Sequence, residues 1–474
     1  MKKTILIAMI ITLASGVLAN NVVVENVDMS YASTDDDYTM IYFDVSWDNS
    51  WRTDINDDAS SNYDGVWVFA KWKTGAGDWS HCTLNTSSVN HIAPTGSTIE
   101  VGSTIIDEVE HGMGVFIYRN ANGSGSNDWD DVQLRWQYGS DGVADGDNVT
   151  VKIFAIEMVN IPEGPYYVGD GMTDENAYTE ERITSADASI DAGSPAEASD
   201  LNASYPNGYS AFWLQKYEIS EGQWVDFFNT LTTDQKADRD ITGDHASYGG
   251  KNSDEVIFRN TVSWSSGDAA TTAPDRACCY LAWDDARYYA DWAGLRPMTE
   301  LEYEKACRGD NNTENGSFAW GNTTISQVTT ITDDGAANAT ANNGNCSYNA
   351  APIAGPVRCG IFANGSSSRE DAGAGYYGNM ELTCNVWEHV INDDDTDFAG
   401  ELGDGDISSL PTAWPPTTGI RGCGWKSGEL SFGASSRTHM VNVLWTLTRI
   451  NDVGFRPAVN FSYSFYYRYT LVLL

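Results

Sequence analysis

Residues 283–309 read "WDDARYYADWAGLRPMTELEYEKACRG", and their spacing decides what kind of fold the second part of this chain can have. Ala282, Ala286, Tyr289 and Ala293 recur at the intervals of one helical face, and Gly294 is placed to end that helix. A second helix follows at once. Thr299 can accept from the backbone three residues on while Glu302 reaches back, and Met298 can staple against Tyr303. Upstream, "YEISEGQWVDFFNTL" repeats the device with Ser220 and Gln223, with Ile219 against Trp224. Trp224, Phe227, Phe228 and Leu231 then form an apolar face. Beyond Gly309 the chain is mostly glycine, asparagine and short aromatic segments. Loops that long need something to fix them.

Working back toward the N-terminus, the periodicity changes from helical to alternating. In "IYFDVSW", Ile41, Phe43, Val45 and Trp47 fall on one face, and Tyr42, Asp44 and Ser46 on the other. The segments beginning at Val66, Gly114, Val132 and Val149 repeat the pattern between loops rich in Gly, Asn, Asp and Ser. The alternation predicts an all-β sandwich over 20–156, followed by a region of different pattern that carries the helices above and few regular elements. His81, His91 and His111 are scattered through separate segments of the first region and form no constellation.

Residues 1–19 have a basic start at Lys2 and Lys3, a short apolar run and small residues, which reads as a secretory signal peptide. Export follows, to a secreted, extracellular or cell-surface location. No later segment is long and apolar enough for a transmembrane helix. The formal charge is −40, or −42 without Lys2 and Lys3. That excess repels phosphate backbones and argues against nucleic-acid partners. Eight cysteines suit an oxidising compartment, but none is spaced as a CxxC zinc pair.

Seven segments in order resemble the sulfatase-modifying-factor family, whose founding activity is the formylglycine-generating enzyme. They are "MVNIPEGPYYVGD", "YEISEGQWVDFFN", the stretch at 283–309, "FAWGN", "GNMELTCNVWEHV", "RGCGW" and "GFRPA". The resemblance covers 157–459 and implies an α+β domain there, with a C-type-lectin-like fold whose loops are held by calcium, and leaves a tail over 460–474. It also implies an oxidase that uses O2 and copper held by two cysteines to convert a sulfatase cysteine to formylglycine. Those two cysteines are expected just after the glycine-aromatic turn, five residues apart, where this chain has Ser427 and Phe432. Gly424 stands where a serine is usual, and Cys384 and Cys423 stand where glycines are usual. A soft ion such as Cu(I) needs facing sulfurs, so copper is not expected.

The same resemblance implies a calcium site from the carboxylates of Glu381 and Glu388 and the backbone carbonyls of Cys384 and Val386, all oxygen donors. A second calcium site would draw on 345–348. The resemblance also implies a disulfide from Cys278 or Cys279 to Cys307, whereas Cys384 and Cys423, which both replace usual glycines, are read as a second pair on that joint change alone, with free buried thiols as the alternative. Trp387, Trp425 and Arg437 are candidates for a substrate-binding groove beside the turn, with core packing as the alternative for both tryptophans. Arg456, on the last motif, is expected in an ion pair.

Other chemistries fail on their own terms. Asp393, Asp395 and Asp397 imitate the start of an EF-hand, but Phe398 occupies the obligatory glycine position. No HExxH or phosphate-binding loop occurs. An iron site would need His245, His389 and His439 brought together. The expectation is therefore a binding protein for an extracellular protein, peptide or glycan, built on a catalytically degenerate domain. The alternative is a formylglycine-generating or related metal-dependent oxidase, and a third is a surface-layer component.

Overall fold

The computed structural model describes residues 22–53, 61–171, 177–187, 204–243, 249–311, 315–393, 395, 397–428, 433–440 and 448–460. Residues 1–19, where a signal peptide is expected, His245, Phe432 and all of the tail after Asn460 lie outside the described residues. Strands β1 (Val23–Ser33), β2 (Tyr38–Thr53), β3 (Asn62–Thr74), β4 (Ser80–His81), β5 (Ser97–Ile106), β6 (Val109–Arg119), β7 (Gly123–Trp136) and β8 (Val149–Ile161) form the first region. Short strands β9 (Tyr166–Val168), β10 (Glu181–Ile183) and β11 (Phe212–Gln215) lead to helices α1 (Glu221–Phe228), α2 (Thr233–Arg239) and α3 (Trp283–Trp292). After β12 (Arg296–Pro297) comes α4 (Glu300–Arg308). The remaining elements are β13 (Ile331–Thr332), β14 (Thr340–Ala341), β15 (Trp387–Val390), β16 (Gly419–Arg421), β17 (Val453–Gly454) and β18 (Pro457–Asn460).

The helices start where the sequence places them. Ser220, Thr232 and Thr299 each accept from the backbone of a residue three on, and Gln223, Gln235 and Glu302 reach back to complete the box. Such a cap contributes about 1 kcal/mol.

One strand joins the two regions. β8 pairs with β3 from Asn160 to Val149, and its end, Met158 to Ile161, also pairs with β11. β11 continues to β18, and β18 to β12. The expected boundary at 156/157 thus lies inside a single strand shared by both regions.

Alternation along the early strands sends their apolar side chains to two places. Ile41, Phe43, Val45 and Trp47 of β2 share one core with Val66 and Val68 of β3, Val115 and Ile117 of β6, and Val132 and Leu134 of β7. The opposite faces of β3 and β6 present Trp67, Phe69 and Phe116 to a larger core containing Trp213, Trp224, Phe227, Tyr289 and Trp292. Trp67 donates its indole N–H to the Ala293 carbonyl at 2.8 Å. Its ring lies over Gly102 and Gly114, where an added Cβ would come within 2.6 and 2.5 Å of it, so any side chain there would displace the tryptophan. At the seam, buried Lys216 pairs with Glu157 at 2.9 Å and Asp64 at 3.4 Å. The first region is packed and ion-paired onto the second, with burial that one strand of shared sheet alone would not provide.

Candidate functional site

The motifs "GNMELTCNVWEHV", "RGCGW" and "GFRPA" meet in a three-stranded sheet of order β16-β15-β17. Glu388 pairs with Arg421 across the antiparallel side and with Gly454 across the parallel side. Trp425 extends the contact by donating its backbone N–H to the Asn385 carbonyl at 2.7 Å. The chain beyond Arg421 then turns tightly. Ser427 donates its N–H to the Gly424 carbonyl at 2.9 Å, and its hydroxyl accepts from the Gly424 N–H at 3.3 Å. Where the resemblance would put the first copper thiolate, this chain has a hydroxyl that closes a turn.

Gly424 is walled in. A Cβ added there would lie 2.7 Å from both Cβ and Oδ2 of Asp452. Asp452 is 1 % exposed, and Lys426 reaches it at 2.9 Å. The space of the usual serine is thus filled by an acid from the loop before β17.

Of the three groove candidates, none lies on the surface. Trp387 and Trp425 are buried, the latter donating its indole N–H to the Asn451 carbonyl at 2.9 Å and packing at a tilt against half-exposed Phe258, with ring centroids 5.3 Å apart. Arg437 is drawn into an acid cluster at the start of α4. Its guanidinium bonds both oxygens of Glu300 and, at 2.8 Å, Asp393. Arg421 spans Glu300 and Glu304 at 3.2 and 2.8 Å, while Arg308 binds Glu304 from the other side. The arginines hold the Glu300 carboxyl down at about 2 against the opposing effect of burial. This lattice clamps the turn region to α4, with the Arg437 guanidinium held inside it. Arg456, as expected, is in an ion pair, with both oxygens of Glu388.

The cysteines pair differently from expectation. Cys384 is bonded to Cys346, with Cα atoms 5.8 Å apart. The reason is local: Asn385 donates to the Ser347 carbonyl at 3.2 Å, which brings the segment of Cys346 alongside Cys384. Cys423 remains a thiol, as do Cys278, Cys279 and Cys307. A bond from Cys278 or Cys279 to Cys307 is not formed because these side chains lie in different cores. Burial pushes the Cys423 and Cys278 thiols well up and Cys307 up to about 12, the opposite of what a reactive thiol requires.

The four expected calcium donors lie on one short segment whose backbone is left-handed at Glu381, Cys384 and Asn385, with φ of 53°, 84° and 64°. Three glutamates are buried there. Glu388 has Arg456; Glu381 accepts from the Gly360 N–H at 2.9 and 3.0 Å; Glu218 accepts from Val386 N–H at 3.2 Å and Asn385 Nδ2 at 2.9 Å. Burial pushes Glu381 up to about 7 and Glu218 well above the usual carboxylate range, and each is raised further by the neighbouring acids. Among the described residues no three His, Cys, Asp or Glu side chains converge on one metal position. A site of two carboxylates completed by carbonyls is of a different composition.

Sequence reasoning passed over Glu218, Asp452 and the pairing of Cys346. Glu218 was legible as an acid between Tyr217 and Ile219, just before a helix cap. Asp452 gave no signal, because only the fold brings it beneath Gly424. His389 and His439 do not meet as iron ligands would: His389 bonds the Leu281 carbonyl at 3.0 Å and His439 packs on Trp387.

Comparison with known proteins agrees with the motifs. A family model described as the sulfatase-modifying factor enzyme 1-like domain matches residues 148–461. The chain is 28 % identical over 130 residues to the formylglycine-generating enzyme of Bos taurus, covering 24 % of this chain and 34 % of that protein. It is 39 % identical over 56 residues to the enzyme of Thermomonospora curvata, covering 12 % and 18 %. The matches thus span from 18 % to 34 % of these relatives. The structure of PvdO from Pseudomonas aeruginosa overlays with a TM-score of 0.33 at 16 % identity, covering 65 % of this chain and 95 % of that one. With two thirds of its length matched by one family model, this chain belongs to the family of the sulfatase-modifying factor enzyme 1-like domain.

Proposed function

We propose that this is a secreted or cell-surface protein whose formylglycine-generating-enzyme-like domain no longer performs oxidase chemistry and serves to bind a protein, peptide or glycan. An N-terminal β-sandwich is packed against that domain, and calcium stabilises its loops. The observation that carries this reading is the turn at 424–427. A linear Cu(I) site needs two opposed thiolates. Ser427 offers a hard hydroxyl already engaged with Gly424, and the place of the neighbouring serine is filled by Asp452. Cys423, the nearest thiol in sequence, is fully buried with its ionisation suppressed.

The donor set fits calcium. Glu381 and Glu388 with the carbonyls of Cys384 and Val386 would hold the ion, whose charge would balance acids that burial otherwise keeps protonated. Glu218 and Glu381 accept only from N–H groups among their described hydrogen bonds, so a bound cation would let both acids ionise despite their burial.

The test is to incubate the purified protein with a sulfatase-type cysteine peptide, Cu(I) and O2, and to look for the aldehyde by mass spectrometry. No aldehyde above a protein-free control is expected. Turnover that tracks protein concentration would overturn the proposal.

A further inference from the structure

Lys216, Asp64 and Glu157 meet in a part of the seam that is closed to solvent. Their side chains are 2 %, 0 % and 2 % exposed. Across the β3–β8 ladder Asp64 lies opposite Val159 and Val66 opposite Glu157, so the two acids are diagonal neighbours on one face. Lys216 follows β11 directly and donates its backbone N–H to the Glu157 carbonyl at 2.9 Å, which fixes where its side chain starts. Its Nζ lies 2.9 Å from Glu157 Oε2, 3.4 Å from Asp64 Oδ2 and 4.8 Å from the centre of the Trp51 ring.

The two oxygens of Asp64 have different surroundings. Oδ1 accepts from the Ser50 hydroxyl at 2.7 Å and the Trp51 N–H at 3.0 Å, whereas Oδ2 faces the Lys216 amine and, at 3.3 Å, the Trp47 indole N–H. Two fixed donors on one oxygen stabilise the negative charge that gathers there when a nucleophile adds to the neighbouring carbon. Against burial, Glu157, Tyr217 and Asp64 hold the Lys216 ammonium above its usual range, so the amine needs a proton acceptor before it can attack. Glu157 is placed to be that acceptor. Burial pushes its carboxyl up to about 7 despite Lys216, and its Oε1 has no hydrogen-bond partner among the described residues. Keeping a lysine and two acids ionised out of water is costly, and joining the lysine to one of them would remove two of those charges.

We propose that the Lys216 amine and the Asp64 carboxyl condense to an amide, an internal isopeptide bond that fastens the first region covalently to the second, with Glu157 carrying the protons. Lys216 Nζ passes a proton to Glu157 Oε2 and adds to Asp64 Cγ, and the charge gathered on Oδ1 is met by Ser50 and Trp51. The N–C bond forms and the Cγ–Oδ2 bond breaks. Oδ2 leaves as water with two of the three ammonium protons, delivered through Glu157, and the third stays on the amide nitrogen. The ammonium and carboxylate charges cancel, and no oxidant, reductant or other reactant is consumed. The bond joins positions 152 residues apart in sequence, so it would close a long loop in the unfolded chain. The proposal goes beyond the binding reading and does not depend on it.

The experiment uses the full chain. Wild type is unfolded, reduced, digested and mapped by mass spectrometry. Expected are a branched peptide that joins the segment of Asp64 to that of Lys216 and is lighter by one water than the two together, and no tryptic cleavage after Lys216. Glu157→Gln should lower the yield of the branched peptide at least tenfold while keeping the wild-type circular dichroism. Linear peptides alone for both segments in wild type overturn the proposal. So does loss of one water without a branched peptide, which marks ring closure between Asp64 and Gly65 instead. A Glu157→Gln protein that carries the bond at wild-type yield overturns the proton transfer through Glu157. Should that variant fail to fold, the wild-type map decides.

Discussion

Asp452 occupies the volume that a side chain at Gly424 would need, with its Cβ and Oδ2 each 2.7 Å from the position of an added Cβ. The two residues come from different strands' flanks, so their fit is a property of the folded turn. Replacing glycine by the family's usual serine should therefore harm this protein. Gly424→Ser is expected to destabilise by about 1–3 kcal/mol through overpacking. Asp452→Ala should reduce that cost in a double-mutant cycle followed by denaturant unfolding. An additive cycle would mean that the two side chains do not compete for space.

Arg437 is an internal tie in this fold. Its partners Glu300 and Asp393 are buried, so Arg437→Ala leaves Asp393 without its cation and Glu300 with Arg421 alone, and should cost about 3–5 kcal/mol. Urea denaturation gives the figure. A loss below 1 kcal/mol would return Arg437 to the role of a surface ligand contact.

Calcium should act as a stabilising ligand. At free calcium a hundredfold above its dissociation constant the gain is about 2.7 kcal/mol, read as a rise in melting temperature that EDTA reverses. Glu381→Gln should weaken or abolish the response while leaving the Arg456–Glu388 pair intact. An unchanged calcium response in that variant would remove Glu381 from the ligand set.

Asp226 on α1 gives a pH dependence away from any metal donor. Burial pushes its carboxyl up to about 7, with Lys152 only partly offsetting the effect. An acid raised on folding binds more protons in the native state, so stability falls as pH rises from the unfolded value near 4 toward 7 and is level above that. Asp226→Asn should flatten this slope and gain about 2 kcal/mol at pH 8, roughly half the full shift arithmetic because the residue keeps part of its surface in solvent. Parallel wild-type and variant curves over that window would show that Asp226 is well solvated.

Much of this fold was legible because it is written in local patterns. Capping boxes at Ser220 and Thr299 depend on residues three apart, and the alternation in β2 needs only its own strand. The motifs of the site were equally readable as strings. What was not readable depends on which distant segments lie side by side. Cys384 has Cys346 as its partner because residues 345–350 run along it, and no spacing rule connects those two positions. Trp425 and Arg437 have the residue types of a binding surface, yet the ion-pair lattice around α4 and the loop before β17 enclose them. Aromatic and arginine content indicates potential for recognition; burial decides whether it is realised.

The central claim is that the turn at 424–427 cannot grip a soft metal, and a Cu(I) titration of the folded, reduced protein with a competing chelator tests it most directly. The account predicts no uptake beyond the chelator baseline, with or without prior thiol alkylation. One equivalent of copper per chain, lost when the thiols are alkylated, would contradict it.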